Sequence, residues 1–273
     1  MDKKSPIGVF DSGYGGLTIL SALRSSLPTY DFLYLGDNAR APYGTRSFDV
    51  VYEYTLEAVK TLFEQGCELV ILACNTASAK ALRTIQQHDL PHIDPKKRVL
   101  GVIRPSVEML ANLSNTHEIG VLATEGTVKS ESYVLEIQKL APEVRVFQQA
   151  CPIWVPLIEH NLHQSDAGKS FIASDWKALI EQSPSIDSVI LGCTHYPLVA
   201  DFLRSISEGI RIIEQGPIVA ASLVDYLKRH PEMEAKCSKG ASVEYLTSEN
   251  VQTFNEKASF FLGEAVQAKH IHF

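Results

Sequence analysis

Two stretches of the chain repeat one pattern: LVILACNT at residues 69–76 and SVILGCTH at residues 188–195. Each begins with an apolar run that is typical of a buried strand in a parallel sheet. Each ends in a small residue, a cysteine and two polar residues. The repeat therefore indicates that Cys74 and Cys193 occupy equivalent positions in two similar parts of the fold.

A second repeat lies upstream of each cysteine, in the same order and at nearly the same separation. IGV at residues 7–9 runs into DSG at 11–13, and IGV at 119–121 runs into TEG at 124–126. Two repeats in one order indicate a duplicated α/β half. If the halves face each other, the two thiols face each other across the space between them.

Short apolar runs alternate with amphipathic stretches of helical length, which is typical of α/β folds with parallel sheets. We therefore predict two similar α/β domains with mostly parallel sheets, related by a pseudo-twofold axis, with the active site between them. The predicted strands are residues 6–10, 31–35, 69–73, 98–103, 118–122, 144–148, 187–192, 210–213 and 242–247. The predicted helices are residues 15–26, 47–64, 76–88, 105–113, 126–140, 166–182, 197–206, 216–229 and 250–262.

Two breaks in this alternation indicate domain boundaries. Residues 88–97 form a loop rich in Pro, His and Asp, and a second break lies near residues 207–211. The second half already matches the first in the order of its elements, so we expect the last portion to return to the first domain. The prediction is one domain from residues 1–97 plus 210–273 and a second from residues 98–209.

Composition argues against several classes of function. The 273 residues carry a net charge of −7 and show no basic stripe, so no nucleic-acid partner is expected. No apolar run reaches the ~18 residues that a membrane span needs, and no signal peptide is recognised. We therefore expect a cytoplasmic protein without a membrane partner. The five cysteines, an odd number in a reducing compartment, argue against a disulfide framework.

Six of the predicted strands end in small polar or thiol groups. Ligands of open α/β sheets bind at the carboxyl ends of the strands, so such a set of residues is a candidate site. The residues at these strand ends are Asp11 with Ser12, Asp37, Cys74 with Asn75 and Thr76, Thr124, Cys151, and Cys193 with Thr194 and His195.

Cys74 and Cys193 each lie where a predicted strand passes into a helix. The helix N-terminus carries partial positive charge and free N–H groups, which favour a thiolate and can hold a substrate carboxylate. The alternative for any cysteine is a small buried core residue. We favour that interpretation for Cys67, Cys151 and Cys237, and a functional role for the repeated pair.

The two repeated cysteines have different predicted partners. His195 lies two residues after Cys193, and the two side chains share a face if the chain stays extended there. A histidine in that position can protonate or tune the thiol. Thr76 stands at the equivalent place in the first half, so Asp11, at the end of the first strand, is the candidate partner of Cys74. The alternative role of both His195 and Asp11 is to cap the helix that follows.

Two loops belong to the candidate site. Residues 11–16 contain three glycines without the spacing of a nucleotide-binding loop, so we interpret them as a tight turn near a small anion, with a phosphate loop as the weaker alternative. Pro42, Tyr43 and Gly44 shape a second loop, in which Tyr43 or the Gly44 backbone closes over a ligand or forms an ordinary turn. No metal is predicted, because the sequence has no CxxC, no HExxH and no clustered carboxylate pair.

Two thiols on opposite sides of one carbon atom can remove a proton from one face and deliver a proton to the other. The configuration inverts, and the two groups exchange roles in the reverse reaction. The predicted substrate is a small carbon acid with a carboxylate, held by backbone N–H groups and by Ser or Thr hydroxyls. No lysine stands in a context typical of pyridoxal phosphate binding, so no cofactor is predicted.

The segments that carry this chemistry strongly resemble those of glutamate racemases. The resemblance covers residues 6–263, and the complete set of motifs is specific to the glutamate enzymes. The matching motifs are VFDSG at 9–13, PYG at 42–44, ACNTAS at 73–78, ATEGT at 123–127, VPLIE at 155–159, LGCTHYP at 191–197, TS at 247–248 and LG at 262–263.

The resemblance implies two α/β domains that interconvert L- and D-glutamate without a cofactor and supply D-glutamate for peptidoglycan in the cell wall. It implies that Cys74, assisted by Asp11, takes the proton from D-glutamate. Cys193, assisted by His195, takes the proton from L-glutamate. A homodimer is a further expectation that rests on the resemblance.

The resemblance also adds residues beyond the thiols and their partners. Asp37 and Glu159 match acidic residues of the family site. The implied substrate-binding residues are Asp11, Ser12, Pro42, Tyr43, Gly44, Asn75, Thr76, Thr124, Thr194 and His195. The sequence departs from the family pattern at Asn38, Arg104 and Asn161, and none of these adjoins a repeated cysteine.

Three alternatives stay open on the sequence alone. The first is a racemase of the same fold that acts on aspartate or another small acid. The second is a thiol hydrolase in which Cys193 and His195 form a nucleophile–base pair. The third is a protein that binds glutamate without turning it over.

Overall fold

The computed structural model describes residues 5–110 and 114–273. Its strands form two sheets, and all neighbouring strands in the described part of the chain run parallel. The strands are β1 (Ile7–Asp11), β2 (Phe32–Gly36), β3 (Leu69–Leu72), β4 (Arg98–Gly101), β5 (Glu118–Ala123), β6 (Arg145–Ala150), β7 (Ser188–Gly192), β8 (Arg211–Ile213), β9 (Val243–Thr247) and β10 (Ala268–His270).

Helices alternate with these strands along most of the chain. They are α1 (Gly16–Ser26), α2 (Phe48–Glu64), α3 (Asn75–Lys80), α4 (Leu82–Thr84), α5 (Leu90–Ile93), α6 (Ile103–Leu110), α7 (Glu125–Lys129), α8 (Ser132–Leu140), α9 (Trp154–Glu159), α10 (Asp166–Ile180), α11 (Ala200–Ile206), α12 (Gln215–Arg229), α13 (Pro231–Glu234) and α14 (Val251–Leu262). No helix in residues 5–110 and 114–273 is both long enough and apolar enough to cross a membrane.

The strand order shows the duplication. The first sheet has the order β10-β9-β2-β1-β3-β4, and the second has the order β6-β5-β7-β8. The run β2-β1-β3-β4 thus recurs as β6-β5-β7-β8, one four-strand unit used twice. Cys74 and Cys193 follow β3 and β7, which hold the same place in the two units. The predicted α/β class with parallel sheets is confirmed.

Two strands lie in a different sheet from the one that the predicted domain boundaries give them. The boundary at residue 98 assigns β4 to the second domain, but β4 pairs with β3 and closes the first sheet. The boundary at residue 210 assigns β8 to the first domain, but β8 pairs with β7 in the second sheet. Only β9 and β10 return to the first sheet. A Pro-rich loop marks a gap between elements, whereas hydrogen bonds between distant strands decide sheet membership.

The helix that follows each of these two strands packs into the core of the other unit. α6 leaves the first sheet, yet Ile103 and Val107 lie in the core cluster of the second sheet. α12 leaves the second sheet, yet Val219 and Leu223 lie in the core cluster of the first. Each unit therefore completes its core with a helix that follows a strand of the other unit.

Several helices differ from their predicted ranges. The helix predicted over 76–88 is divided at Ala81 and continues as α4 and a π-helical turn. The helix predicted over 126–140 is broken at Glu131, whose φ of 53° is left-handed. The helix predicted over 105–113 begins at Ile103, and positions 111–113 lie outside the described residues. α9 and β10 are elements that the sequence patterns do not predict. Periodicity identifies a helix better than it locates the ends, which tertiary contacts decide.

The start and end of α2 are those that the sequence indicates. Ser47 Oγ accepts a hydrogen bond from the Val50 backbone N–H at 3.4 Å, which caps the first turn. Gly66, just after the helix, has a φ of 99°, a conformation that favours glycine. This helix packs on the face of the first sheet, against β1 and β2, with Val59 and Leu62 fully buried.

Candidate active site

A cavity of about 130 Å³ lies between the two units, at the carboxyl ends of their strands. Its walls contain both repeated cysteines and most of the predicted substrate-binding residues. Those brought together are Ser12, Pro42, Tyr43, Gly44, Cys74, Asn75, Thr76, Thr124, Glu159, Cys193, Thr194 and His195. The lining also includes Cys151, which ends a predicted strand, and Glu125, Val155 and Pro156 of the matching motifs. Thr45 and Pro152 line the cavity too, and the sequence patterns do not single them out.

Cys74 caps the start of α3. Its Sγ accepts the Ala77 backbone N–H at 3.4 Å and lies 3.4 Å from Ser12 Oγ. The side chain is 6% exposed. Burial, followed by the charge of Asp11, raises the pKa of the Cys74 thiol to about 12, against the hydrogen bonds from Ser12 and Ala77. Cys74 is therefore a neutral thiol at physiological pH until a proton is taken from it.

Asp11 lies behind the cavity wall and touches both units. Its carboxylate is fully buried, accepts the Gly13 backbone N–H at 3.0 Å and lies 3.4 Å from Thr194 Oγ1, which donates to it. The N-cap residue of α1 is Gly15, so Asp11 does not occupy the cap position itself. Burial raises the pKa of Asp11, although the charge of His195 and the nearby backbone N–H groups oppose this.

Cys193 adjoins His195, which in turn binds the carboxylate of Glu159. Cys193 Sγ lies 4.0 Å from His195 Nδ1, and His195 Nε2 lies 2.9 Å from Glu159 Oε1. Burial alone lowers the pKa of His195, but its hydrogen bonds to Cys193 and Glu159 outweigh burial and raise it to about 10. His195 is therefore an imidazolium at neutral pH.

The contact between Cys193 and His195 does not arise from an extended chain. His195 has φ −79° and ψ −27°, the start of a 3₁₀ turn at Tyr196–Val199, and its side chain makes no capping hydrogen bond there. The turn carries the imidazole back beside the thiol. Burial raises the pKa of Glu159, but the hydrogen bond and charge of His195 lower it by more, so Glu159 is an anion facing the imidazolium.

Asp37 shapes the second loop and is absent from the lining of the cavity. It is fully buried and accepts hydrogen bonds from Arg40 Nε at 2.6 Å, from Ser248 Oγ at 2.7 Å and from the Tyr43 hydroxyl. The Tyr43 hydroxyl is thus bound to Asp37, and Tyr43 also lines the cavity. The Gly44 carbonyl accepts the Gly126 backbone N–H at 2.7 Å, which joins this loop to the second unit.

Threonines join the units on the opposite side. Thr124 caps α7, with its Oγ1 accepting the Thr127 backbone N–H at 3.3 Å. The same Oγ1 lies 2.9 Å from Thr76 Oγ1 of the first unit. The hydroxyls of Thr76 and Thr124 therefore meet at the cavity, each from a strand end of its own unit.

The other three cysteines are free and buried, as the core interpretation predicts. Cys151 also lines the cavity, although only 1% of it is exposed. Burial raises its pKa well above the ordinary range of a thiol. In the described part of the chain, no group of three or more His, Cys, Asp or Glu is arranged to hold a metal ion.

The three departures from the family pattern lie away from the thiols. Asn161 has a φ of 56°, and asparagine is one of the few residues besides glycine that adopts this conformation readily. Asn38 is buried and accepts the Thr247 hydroxyl at 3.2 Å. Arg104 is exposed and pairs with Glu108 at 2.9 Å on the surface of α6.

Two thiols that reach one cavity from equivalent strands suit a racemase without a cofactor. A model of the Asp/Glu/Hydantoin racemase family matches residues 18–223, which places the protein in that class. A glutamate racemase from Roseobacter denitrificans is 41% identical over 272 residues, covering 96% of this chain and 98% of its own length.

Solved structures of glutamate racemases have the same fold. A glutamate racemase isoform from Bacillus anthracis superimposes with a TM-score of 0.90 at 30% identity, covering 99% of this chain and 98% of that one. The enzyme from Francisella tularensis, in complex with D-glutamate, gives a TM-score of 0.86 at 29% identity, with 100% and 98% covered. The chain belongs to the glutamate racemase family and is an isomerase.

Proposed function

We propose that this chain interconverts L- and D-glutamate, with Cys74 and Cys193 as the two acid–base groups and without a cofactor. The observation that carries this proposal is the position of the two thiols: each ends an equivalent strand of its own unit, and both line one cavity. The D-glutamate bound to the Francisella tularensis relative supports the choice of substrate.

In the L-to-D direction, the Cys193 thiolate removes the α-proton of L-glutamate. The Cys74 thiol then donates its proton to the opposite face of the same carbon, which leaves Cys193 protonated and Cys74 as the thiolate. The reverse reaction begins from that state and restores the first. The configuration inverts because the proton leaves from one face and arrives on the other.

The surroundings of the thiols support this assignment. The His195 imidazolium, held by Glu159, places a positive charge beside Cys193. The high pKa of Cys74, about 12, keeps it protonated as the initial donor. Asp11, buried behind the wall, is the candidate group to assist Cys74 when that thiolate must act as the base.

Polar groups of the cavity wall are proposed to hold the substrate carboxylates. They come from both units, so a bound glutamate contacts strand ends on either side. These residues are Ser12, Asn75, Thr76, Thr124 and Thr194, together with the Pro42–Gly44 loop. These donors hold the carboxylates in the ground state and in the transition state alike, so the loss of one donor is expected to raise KM.

The test is racemisation of L-glutamate by the purified protein, followed by circular dichroism in ordinary water and in deuterium oxide. The proposal requires loss of optical activity and deuterium at Cα of the product. Turnover of L-aspartate alone would contradict the substrate. An acyl-enzyme without deuterium exchange would identify the thiol hydrolase instead.

Four further proposals concern the role and the organisation of the protein. The protein supplies D-glutamate for peptidoglycan, acts in the cytoplasm, forms a homodimer and divides into two domains. Rescue of a D-glutamate-requiring bacterium tests the first, and cell fractionation tests the second. Analytical ultracentrifugation tests the third, with a single monomer boundary as the contradicting result. Limited proteolysis tests the fourth, with cuts confined to the segments between the units and fragments that stay associated as the expected result.

A further inference from the structure

Gln215 begins α12, where the chain passes from the second unit back to the first. Arg98 and Arg211 begin β4 and β8 at equivalent registers of the two units. Four residues after each arginine stand Val102 and Gln215, which are therefore equivalent. Both side chains are buried, 0% and 2% exposed. The repeat thus has an apolar residue at this place in one unit and an amide in the other.

The Gln215 amide closes a buried ring of hydrogen bonds with Asn75 and Tyr133. Asn75 Nδ2 donates to Gln215 Oε1 at 2.6 Å, and the Tyr133 hydroxyl donates to Asn75 Oδ1 at 2.8 Å. Gln215 Nε2 lies 2.9 Å from the Tyr133 oxygen, 2.8 Å from Ser106 Oγ and 3.3 Å from the Val102 carbonyl. The ring therefore joins α3, α6, α8 and α12.

The ring decides which way each amide faces. The Val102 carbonyl only accepts hydrogen bonds and already receives the Ser106 hydroxyl at 2.8 Å, so Ser106 is an acceptor toward Gln215. The nitrogen of Gln215 must face this pair, and its oxygen must face Asn75. Asn75 then has to present its nitrogen to Gln215 and its oxygen to Tyr133.

This orientation leaves Asn75 with a donor for the cavity. Asn75 Nδ2 carries two N–H groups, and Gln215 Oε1 accepts one of them. Asn75 follows Cys74 directly and lines the cavity. The second N–H is thus available to a carboxylate bound beside the thiol. A reversed amide would present an oxygen there and repel the carboxylate.

We propose that Gln215 is a positioning residue, which fixes the orientation of the Asn75 amide so that it donates to a substrate carboxylate. The inference rests on the proposed function, because it requires glutamate in the cavity. Val102 cannot serve this role in the other unit. Thr194, at the place equivalent to Asn75, instead donates to Asp11 at 3.4 Å. The oriented amide therefore serves one side of the substrate.

The first experiment replaces the Gln215 amide with an apolar group of similar length, Gln215→Met. We expect KM for glutamate to rise ~5–10-fold in both directions with kcat within about twofold, because a hydrogen bond to bound substrate is lost in the ground and transition states alike. Tyr133→Phe removes only a hydroxyl from the ring and is expected to raise KM less. An unchanged KM in both variants would overturn the inference.

A matched control is Gln86→Met. Gln86 Nε2 donates to the Val99 carbonyl of β4 at 2.7 Å, so this variant also removes a bond between a glutamine side chain and a backbone carbonyl. Gln86 does not line the cavity. The thermal midpoint of Gln86→Met is expected to fall, while its KM for glutamate stays as in the wild type. A similar rise in KM in the control would assign the Gln215 effect to general loosening and reject the inference.

A double-mutant cycle with Asn75→Ala separates positioning from stability. If Gln215 acts through Asn75, then Gln215→Met raises KM in the wild type but not in the Asn75→Ala background. Equal effects in both backgrounds would overturn the inference while leaving the racemase function intact. Failure of the wild-type protein to racemise glutamate would reject the proposed function itself, a distinct result.

Discussion

The two thiols hold the same place in a repeated strand order, yet different groups surround them. Cys193 has the His195 imidazolium 4.0 Å away, with Glu159 behind it. Cys74 has the Ser12 hydroxyl at 3.4 Å and the buried carboxylate of Asp11 nearby. A cation thus adjoins one thiol, and an anion adjoins the other.

The difference teaches that the fold supplies position and the neighbouring side chains supply charge. The repeated strand order brings two thiols to one cavity. The positive charge beside Cys193 and the negative charge beside Cys74 make the two sides of the cavity unequal. The predictions below test this inequality, from the largest expected effect to the smallest.

Replacing either thiol should remove racemisation. For Cys74→Ser and for Cys193→Ser, we expect turnover in both directions to fall at least ~10³-fold, because a serine hydroxyl is a far weaker acid and base. Circular dichroism with each enantiomer measures this loss. Cys237→Ser, at a buried cysteine outside the cavity, is the control and should keep its activity. Substantial turnover by either single variant would show that the thiols do not act as a pair.

Substitution of two glycines at the starts of helices tests the packing beside His195 against the packing of the loop at Gly44. A Cβ at Gly15 would collide with His195 Nδ1 and Thr194 Oγ1, whereas a Cβ at Gly126 would lie 2.7 Å from the Gly44 carbonyl and 2.9 Å from Lys80 Nζ. Gly15→Ala should therefore lower kcat ~10²-fold by displacing the imidazole.

Gly126→Ala is expected to lower the thermal midpoint more than kcat, because it strains the loop contact and leaves His195 in place. Steady-state kinetics and calorimetry on both variants measure the contrast. Equal losses of kcat would contradict the special role of the histidine side.

Removing the Glu159 carboxylate, which binds His195, should change the pH dependence of kcat/KM. Glu159 raises the pKa of His195, so Glu159→Gln lowers that pKa from about 10 and the imidazolium is lost at a lower pH. We expect the alkaline limb of kcat/KM for L-glutamate to move to lower pH, with ~10-fold loss at pH 9.

The control for that prediction is Glu125→Gln. Glu125 also lines the cavity, but it pairs with Lys129 at 2.6 Å on the surface of α7. This variant should leave the alkaline limb in place. A profile of Glu159→Gln that overlies the wild type would mean that His195 does not govern the basic limb.

The smallest effect concerns the reactivity of Cys74. Burial and the Asp11 charge raise the pKa of this thiol, whereas the Ser12 hydrogen bond lowers it. Alkylation by iodoacetamide at pH 8, measured on the Cys74 peptide by mass spectrometry, should be ~2–5-fold faster in Asp11→Asn and slower in Ser12→Ala. Rates that change in the same direction in both variants would show that charge does not set the reactivity.

Much of the site is predictable from the sequence because its residues end buried strands. Cys74, Thr124 and Cys193 meet in one cavity, since parallel strands place their carboxyl ends at one edge. The partner of Cys193 is also local, two residues along the chain. The roles proposed for these residues stay predictions until the variants are measured.

Contacts between distant segments were beyond the sequence patterns. Asp37 ends a strand, as the pattern predicts, but its bonds to Tyr43 and Ser248 turn it away from the cavity lining. The ring that holds Asn75 joins residues far apart in sequence, and nothing local marks Gln215. A repeated unit of four strands requires β4 in the first sheet and β8 in the second. The loop at 88–97 instead favours a domain boundary before β4.

The exchange of α6 and α12 has a consequence for how the protein can be divided. A fragment that ends after β4 lacks the helix that carries Val219 and Leu223 into its core. The complementary fragment, from residue 102 onward, keeps Ile103 and Val107 but carries α12 without the sheet on which α12 packs. Neither fragment is then self-sufficient, so co-expressed fragments must associate before the first sheet acquires a closed core. Assembly of the catalytic cleft and completion of the first core are thus one cooperative event.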